Sequence, residues 1–356
     1  MAYRVIQWAT GAVGSLCVRE IARRPDLELV GVRVYSPDKD GKDAGEIVGI
    51  GPIGVNATTD REVLIASEAD CVIHAPLAAN LDELDEDVIA LLESGKNVIS
   101  TAAYFAPEFR GQEIVDRLQA ACEKGGSTLL GTGVEPGFMF ERVLPTISGM
   151  CTDIDSIRLV ETLDAANHPA AVMILDALGI GKPLETVTKD SPYAQYFLTF
   201  FSEMATAAAR GLDVRFDSIE NGVDVAAATR DIKIAVGTVE KGTVAGTRYW
   251  VDGIIDGRTF LRVEIYWVVE PGVNGWPTPT DRYQWHIEIE GKPSVRMVLD
   301  ALPSLSGSGE DYDPGFHGAM ATAVNAIPAI CAAPPGLFHQ PVFAPWRIDA
   351  HEKTTS

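Results

Sequence analysis

Hydrophobic residues recur along the first third of this chain in two alternating rhythms. Residues 3–9 (Tyr-Arg-Val-Ile-Gln-Trp-Ala) form the short apolar run that a buried strand requires, and residues 15–24 set Leu16, Val18 and Ile21 at helical spacing until Pro25 ends the pattern. Residues 27–35 are rich in β-branched side chains and predict a second strand, which completes a β-α-β unit with parallel strands. The rhythm continues with strands at 71–75, 97–100 and 127–131 and helices at 84–94 and 113–124. Beyond Gly137 it changes. Between residues 155 and 298, stretches such as 248–256 and 261–269 are long and alternating, as in antiparallel strands with one covered face. A Gly/Pro/Ser-rich passage at 303–315 then precedes a helix at 319–332, whose small residues Ala321, Ala323, Ala326 and Ala329 permit close packing. A proline-punctuated tail from Ala333 onward is expected on the surface.

These elements predict an α/β chain. A doubly wound parallel sheet of the Rossmann type occupies residues 1–140, an α+β domain on a largely antiparallel sheet occupies 141–315, and the terminal helix and tail, 316–356, return to the first domain. Two domains suit 356 residues, because one hydrophobic core stops growing at about 250.

Composition narrows the possibilities. With 46% hydrophobic and 22% charged residues, and no apolar run approaching ~18 residues, the chain reads as soluble, without a membrane span. A net charge of -21 disfavours nucleic acid as a partner. The start of the chain runs directly into a strand without an export signal, so the expected compartment is the cytoplasm. Five scattered cysteines and six dispersed histidines predict neither a disulfide framework nor a metal site.

The turn after the first strand, Ala9-Thr10-Gly11-Ala12-Val13-Gly14, matches the G-x-G-x-x-G frame with alanine in the first position, between a strand and a helix. Free N–H groups at that helix start would hold a pyrophosphate. The alternative is a tight turn without a ligand. NAD enzymes place an acid at the end of the second strand for the ribose diol. Here that end reads Val34-Tyr35-Ser36-Pro37-Asp38-Lys39, and Ser36 and Lys39, with Arg33 and Lys42 nearby, suit the extra phosphate of NADP, NAD remaining possible. Lys39 and Lys42 also read as solvated loop charges beside Asp38, Asp40 and Asp43.

Four segments together resemble the dihydrodipicolinate-reductase-like family that includes 2,4-diaminopentanoate dehydrogenase and the native NAD(P)-dependent amine dehydrogenases. They are residues 8–14, 97–101 (Asn-Val-Ile-Ser-Thr), 131–138 (Gly-Thr-Gly-Val-Glu-Pro-Gly-Phe) and 323–336. The resemblance implies a homodimer and a nicotinamide lying between the domains near the loops after residues 75, 101 and 133. Ala75, Pro76, Thr101 and Ala102 would then touch the cofactor, and Asn325 would approach the nicotinamide amide. It also implies reductive amination of a carbonyl, or the reverse. The family carries a glutamate shortly after the Ser-Thr pair, where this chain reads Ala-Ala-Tyr-Phe, and asparagine where it has Glu135.

Hydride transfer needs a proton donor or acceptor beside the substrate heteroatom. Glu135, between two glycine-containing turns at a strand end, is the first candidate, with a structural acid bound to backbone N–H groups as the alternative. Tyr104 and Glu108 follow, one as a phenolic donor or a pocket wall, the other as a loop carboxylate or a helix N-terminal acid. His168 reads as a surface histidine, and Trp250, Tyr266, Trp267, Trp276 and Trp285 mostly as core or dimer contacts. Three functions follow: an NAD(P)H-dependent oxidoreductase acting on a C–N or C=N bond of a small carbonyl or amine, an aldehyde or ketone reductase, or a non-catalytic dinucleotide sensor.

Overall fold

The computed structural model describes residues 2–76, 81–168, 170–278, 283–308 and 312–347. The chain forms two compact units, Met1–Phe138 with Gly315–Gln340, and Met139–Pro314 with Pro341–Ser356.

The first unit alternates strands and helices: β1 (Tyr3–Trp8), α1 (Ala12–Arg23), β2 (Leu27–Arg33), α2 (Ala44–Val48), β3 (Ala57–Thr58), α3 (Arg61–Ala66), β4 (Cys71–His74), α4 (Leu81–Glu93), β5 (Asn97–Ser100), α5 (Gln112–Gly125) and β6 (Thr128–Gly131). The long periodic elements match the sequence reading to within a few residues. The short α2, β3 and α3 did not stand out, because two to six residues are too few for periodicity to show.

The second unit contains α6 (Leu144–Ser148), β7 (Asp153–Asp164), α7 (Pro192–Gly211), β8 (Ser218–Ala227), β9 (Ile232–Ile234), β10 (Gly237–Val239), β11 (Val244–Ile255), β12 (Arg258–Val268), β13 (Tyr283–Lys292) and β14 (Val295–Ala301). Then come α8 (Pro314–Cys331) and β15 (Gly336–Leu337). No helix among the described residues is long and apolar enough to cross a membrane.

All neighbours in the first sheet are parallel, in the order β15-β6-β5-β4-β1-β2-β3. Both faces are covered. Val5, Ile73 and Ile99 pack with Val18 and Ile21 of α1 and Val324 and Ile327 of α8, while Ile6, Trp8, Val72 and Val98 pack under α4 and α5. Each such fully buried side chain stabilises the unit by roughly 1.5–3 kcal/mol. Ala321, Ala323 and Ala326 of α8 serve that packing, which returns the helix to the first sheet, while Ala329 is exposed.

The tail departs from its expected course in two ways. Gly336 and Leu337 pair with Thr128 and Leu129 as a seventh strand. From Pro341 the chain belongs to the second unit, where Trp346 Nε1 donates to Thr152 O at 3.2 Å and its ring stacks on Phe260. Residues 348–356 lie outside the described residues.

The second sheet runs β14-β13-β7-β12-β11-β8 and is antiparallel except for the β7–β12 pair. Phe197 and Phe201 of α7 pack edge-on against Trp267 at 5.2 and 5.8 Å, with Tyr249 alongside. Trp267 and Trp285 donate their indole N–H groups to the two oxygens of buried Glu161 at 2.6 and 2.8 Å. On the other face, charges alternate across all six strands. Arg248 joins Asp224 to Glu264 (2.7 and 2.6 Å), Arg158 joins Glu264 to Glu288 (2.6 and 3.2 Å), and Arg296 closes on Glu288 (2.7 Å). Glu264 is buried, which raises a carboxyl pKa, yet hydrogen bonds from Tyr266, Arg248 and Arg158 outweigh burial and leave it lowered.

Candidate active site

The turn after β1 is shaped by contacts within the backbone. Ala9 adopts φ 78, the left-handed conformation that glycine takes more readily, and buried Gln7 braces the turn by donating to the carbonyls of Trp8 and Ala9 at 3.3 and 3.0 Å. A Cβ on Gly14 would lie 2.1 Å from Ala9 O, so glycine there lets α1 pack against β1. Gly11, the N-cap of α1, has nothing within 4 Å of where a Cβ would be. A backbone bare of side chains, at a helix start whose first-turn N–H groups lack intrahelical acceptors, fits a pyrophosphate.

That turn lines a cleft of about 790 Å³ at the carboxyl ends of β1, β2 and β4. Thr10, Gly11, Ser36, Lys39, Ala75 and Pro76, all named from the sequence as cofactor-binding candidates, line it. Ala12, Val13 and Gly14 form the first turn of α1 directly behind. Lys39 Nζ donates to Thr10 Oγ1 and O at 3.1 and 3.3 Å, which ties the β2 loop to the glycine turn, and Ser36 donates to Asp38. Arg33, Tyr35, Arg61 and Asp87 complete the walls. Sequence reasoning named Arg33 only as a neighbour and missed Arg61 and Asp87. The only local signal for Arg61 is that Asp60, a side-chain N-cap, precedes it.

Other sequence candidates stand elsewhere. Thr101 and Ala102 follow β5, where Thr101 N donates to His74 O and Ala102 N to Ser100 Oγ, beyond the described lining of the cleft. Asn325 is exposed and accepts from Arg24 Nη1 at 3.1 Å. Arg24 caps the far end of α1, so the structure does not bring Asn325 to the glycine turn. His168 is 3% exposed with Nδ1 accepting from Ala170 N, buried rather than on the surface.

The three proton candidates separate clearly. Tyr104 is buried, and its hydroxyl donates to Asp85 Oδ1 at 2.9 Å. Asp85, 2% exposed on α4, also receives both terminal nitrogens of Arg110, so the phenol belongs to a clamp fastening the loop after β5 to α4. Gly131 permits that fastening, since a Cβ there would meet Tyr104 C at 2.4 Å. Glu108 is exposed on the short turn Pro107–Arg110, the position of a helix N-terminal acid. Glu135 lies just past the end of β6 with both carboxylate oxygens shielded from solvent. Thr132 and His74, at the ends of β6 and β4, are fully buried nearby in sequence or register.

Comparison with known proteins agrees with this geometry. The profile of the 2,4-diaminopentanoate dehydrogenase C-terminal domain matches residues 138–345, and that of the dihydrodipicolinate reductase N-terminus matches residues 5–108. An amine dehydrogenase of Streptomyces virginiae is 30% identical over 350 residues, 94% of each chain. A 2,4-diaminopentanoate dehydrogenase of Acetoanaerobium sticklandii is 25% identical over 354 residues, 94% of this chain and 91% of the other. The structure of amine dehydrogenase from Mycobacterium smegmatis shares the fold at a TM-score of 0.75 with 21% identity, covering 95% of both chains. A glycine turn at a helix start, an open cleft beside it and similarity along nearly the whole length lead to one assignment: the chain belongs to the 2,4-diaminopentanoate dehydrogenase and amine dehydrogenase family of NAD(P)-dependent oxidoreductases.

Proposed function

We propose that the protein is an NADP-preferring amine dehydrogenase, which interconverts a small ketone or aldehyde plus ammonia with the corresponding primary amine. The reaction is carried over from the family. The observation that carries the cofactor preference is the end of β2, where Arg33, Ser36 and Lys39 line the cleft and no acid occupies the strand end. An acid there would accept the ribose hydroxyls of NAD, whereas cations and a hydroxyl suit a 2′-phosphate.

When bound, the dinucleotide supplies or accepts a hydride at the nicotinamide. The chain's own residues do the rest. The first turn of α1 holds the pyrophosphate, Gly11 lets it approach, and Lys39 keeps the β2 loop on the glycine turn. Glu135 is the residue we assign to the proton. Once ammonia has added to the carbonyl carbon, its carboxylate would take a proton from that nitrogen and return it to the former carbonyl oxygen, which leaves as water, and its charge would favour the resulting iminium cation. Glu135→Gln should lower kcat by at least about 100-fold while dinucleotide binding stays intact.

We further infer a homodimer built on the second sheet. Sedimentation at micromolar concentration reads this, and a monomer there removes it.

The test of the activity is oxidation of NADPH and NADH over a panel of carbonyls, with and without excess ammonium, at about pH 9, where free ammonia is plentiful. Ammonium-dependent turnover with NADPH supports the proposal. Ammonium-independent turnover makes the protein a carbonyl reductase, and tight cofactor binding without turnover makes it a sensor.

A further inference from the structure

One wall of the cleft is organised around a single carboxylate. Asp87, on α4, accepts at Oδ1 from Arg61 Nη1 at 2.7 Å, and at Oδ2 from Trp8 Nε1 at 3.0 Å and the Tyr35 hydroxyl at 3.4 Å. The rings it steadies carry Arg33, whose guanidinium carbon lies 4.7 Å from the Tyr35 centroid and 5.9 Å from that of Trp8. Four chain segments thus meet at one acid.

Two consequences follow from that geometry. Both oxygens of Asp87 already accept from protein donors, and it stands on α4 rather than at the end of β2, where an NAD enzyme places the acid for its ribose diol. Arg61 spends Nη1 on Asp87 and Nε on Glu62, and Nη2 has no hydrogen bond among the described residues on a side chain that is 34% exposed and lines the cleft. Glu83 and Glu86 line the same cleft, so a phosphate entering it meets negative charge that, among the described lining residues, Arg33, Lys39 and Arg61 offset.

We infer that Arg61 is a specificity-determining cation for the 2′-phosphate of an NADP-type dinucleotide, and that Asp87 is the positioning residue that holds Arg61 and the Arg33–Tyr35 stack in the posture that receives it. The inference rests on the cofactor reading above and adds the two residues that make the preference. A guanidinium held at Nη1 by Asp87 and at Nε by Glu62 presents Nη2 at a defined angle, which gives its charge a direction.

The test uses the full chain and a readout independent of turnover: dissociation constants of NADPH and NADH, measured by nicotinamide fluorescence for wild type, Arg61→Ala and Asp87→Asn. Losing a charge-assisted contact predicts that Arg61→Ala weakens NADPH by about 10- to 100-fold, with NADH changed by less than about threefold. Asp87→Asn should weaken NADPH by about tenfold and shift the NADPH/NADH ratio in the same direction. Equal losses for both cofactors would mean that the cluster only supports the fold, and an unchanged ratio in Arg61→Ala would overturn the inference outright. Arg61 sits at the start of a helix and is partly exposed, so this variant keeps the test open even if Asp87→Asn fails to fold. A wild type that prefers NADH sinks the underlying cofactor reading before any variant is compared.

Discussion

Acid should weaken the first unit through His74. The imidazole is fully buried at the end of β4, with Nδ1 3.1 Å from Ser100 Oγ and Nε2 shielded from solvent without a hydrogen bond among the described residues. Burial disfavours the imidazolium and lowers the pKa from 6.5 to about 3. Between those values the folded chain keeps the ring neutral while the unfolded chain binds a proton. The stability contributed by the neutral ring is therefore complete above pH 6.5 and is lost as the pH falls from 6.5 toward 3. One proton gives a slope of about 1.4 kcal/mol per pH unit, so a drop to about pH 4.5 costs about 3 kcal/mol.

Carboxylates titrate over part of the same range, so the effect is read as a difference between wild type and His74→Asn, whose amide does not titrate. Trp8 pairs in register with His74 and is the sole tryptophan of the first unit, which lets a fluorine label on tryptophan report unfolding of that unit by NMR in urea. The gap between the two proteins' unfolding free energies should shift by about 3 kcal/mol between about pH 7 and 4.5, wild type losing more. Parallel pH curves would refute the reasoning, since they would mean that the folded ring accepts the proton as easily as the unfolded one.

The two glycines of the turn should respond oppositely. Gly11→Ala should fold with an unchanged melting temperature and lose at least about tenfold in NADPH affinity, because its methyl group enters the space kept for the pyrophosphate. Gly14→Ala collides with Ala9 O and should lose about 3 kcal/mol or more, seen as a large fall in melting temperature. Tyr104→Phe should cost about 1–3 kcal/mol by removing a donor from buried Asp85, and leave kcat unchanged. A 100-fold loss of kcat in that variant, about the size of a lost general acid, would return the proton role to Tyr104.

Much of the first sheet was legible as residues. Its strands are short, mostly apolar runs because both faces are covered, and Gly11 and Gly14 stand where a strand must turn into a helix within a few residues. Local sequence was also enough to read the cation-rich end of β2. The length and alternation of the second domain's strands announced a sheet with one covered face, but not the parallel β7–β12 pairing, since alternation is blind to direction.

What remained hidden depends on residues far apart in the chain that meet only on folding. Arg61 and Asp87 sit on separate helices and are unremarkable as letters; with Tyr35 they become a wall of the cleft, braced by buried Trp8. Tyr104 reads in sequence as a phenolic donor or a pocket wall and Asn325 as a contact of the nicotinamide amide, and the bonds they make to Asp85 and Arg24 appear only on folding. The sequence by itself determined the long periodic elements of the first sheet, the glycine turn and the family, because periodicity, φ preference and motif spacing act over a few residues. The tertiary structure decided which polar groups meet and which are spent on one another, because a hydrogen bond is set by distance and angle in space, to which separation along the chain is indifferent.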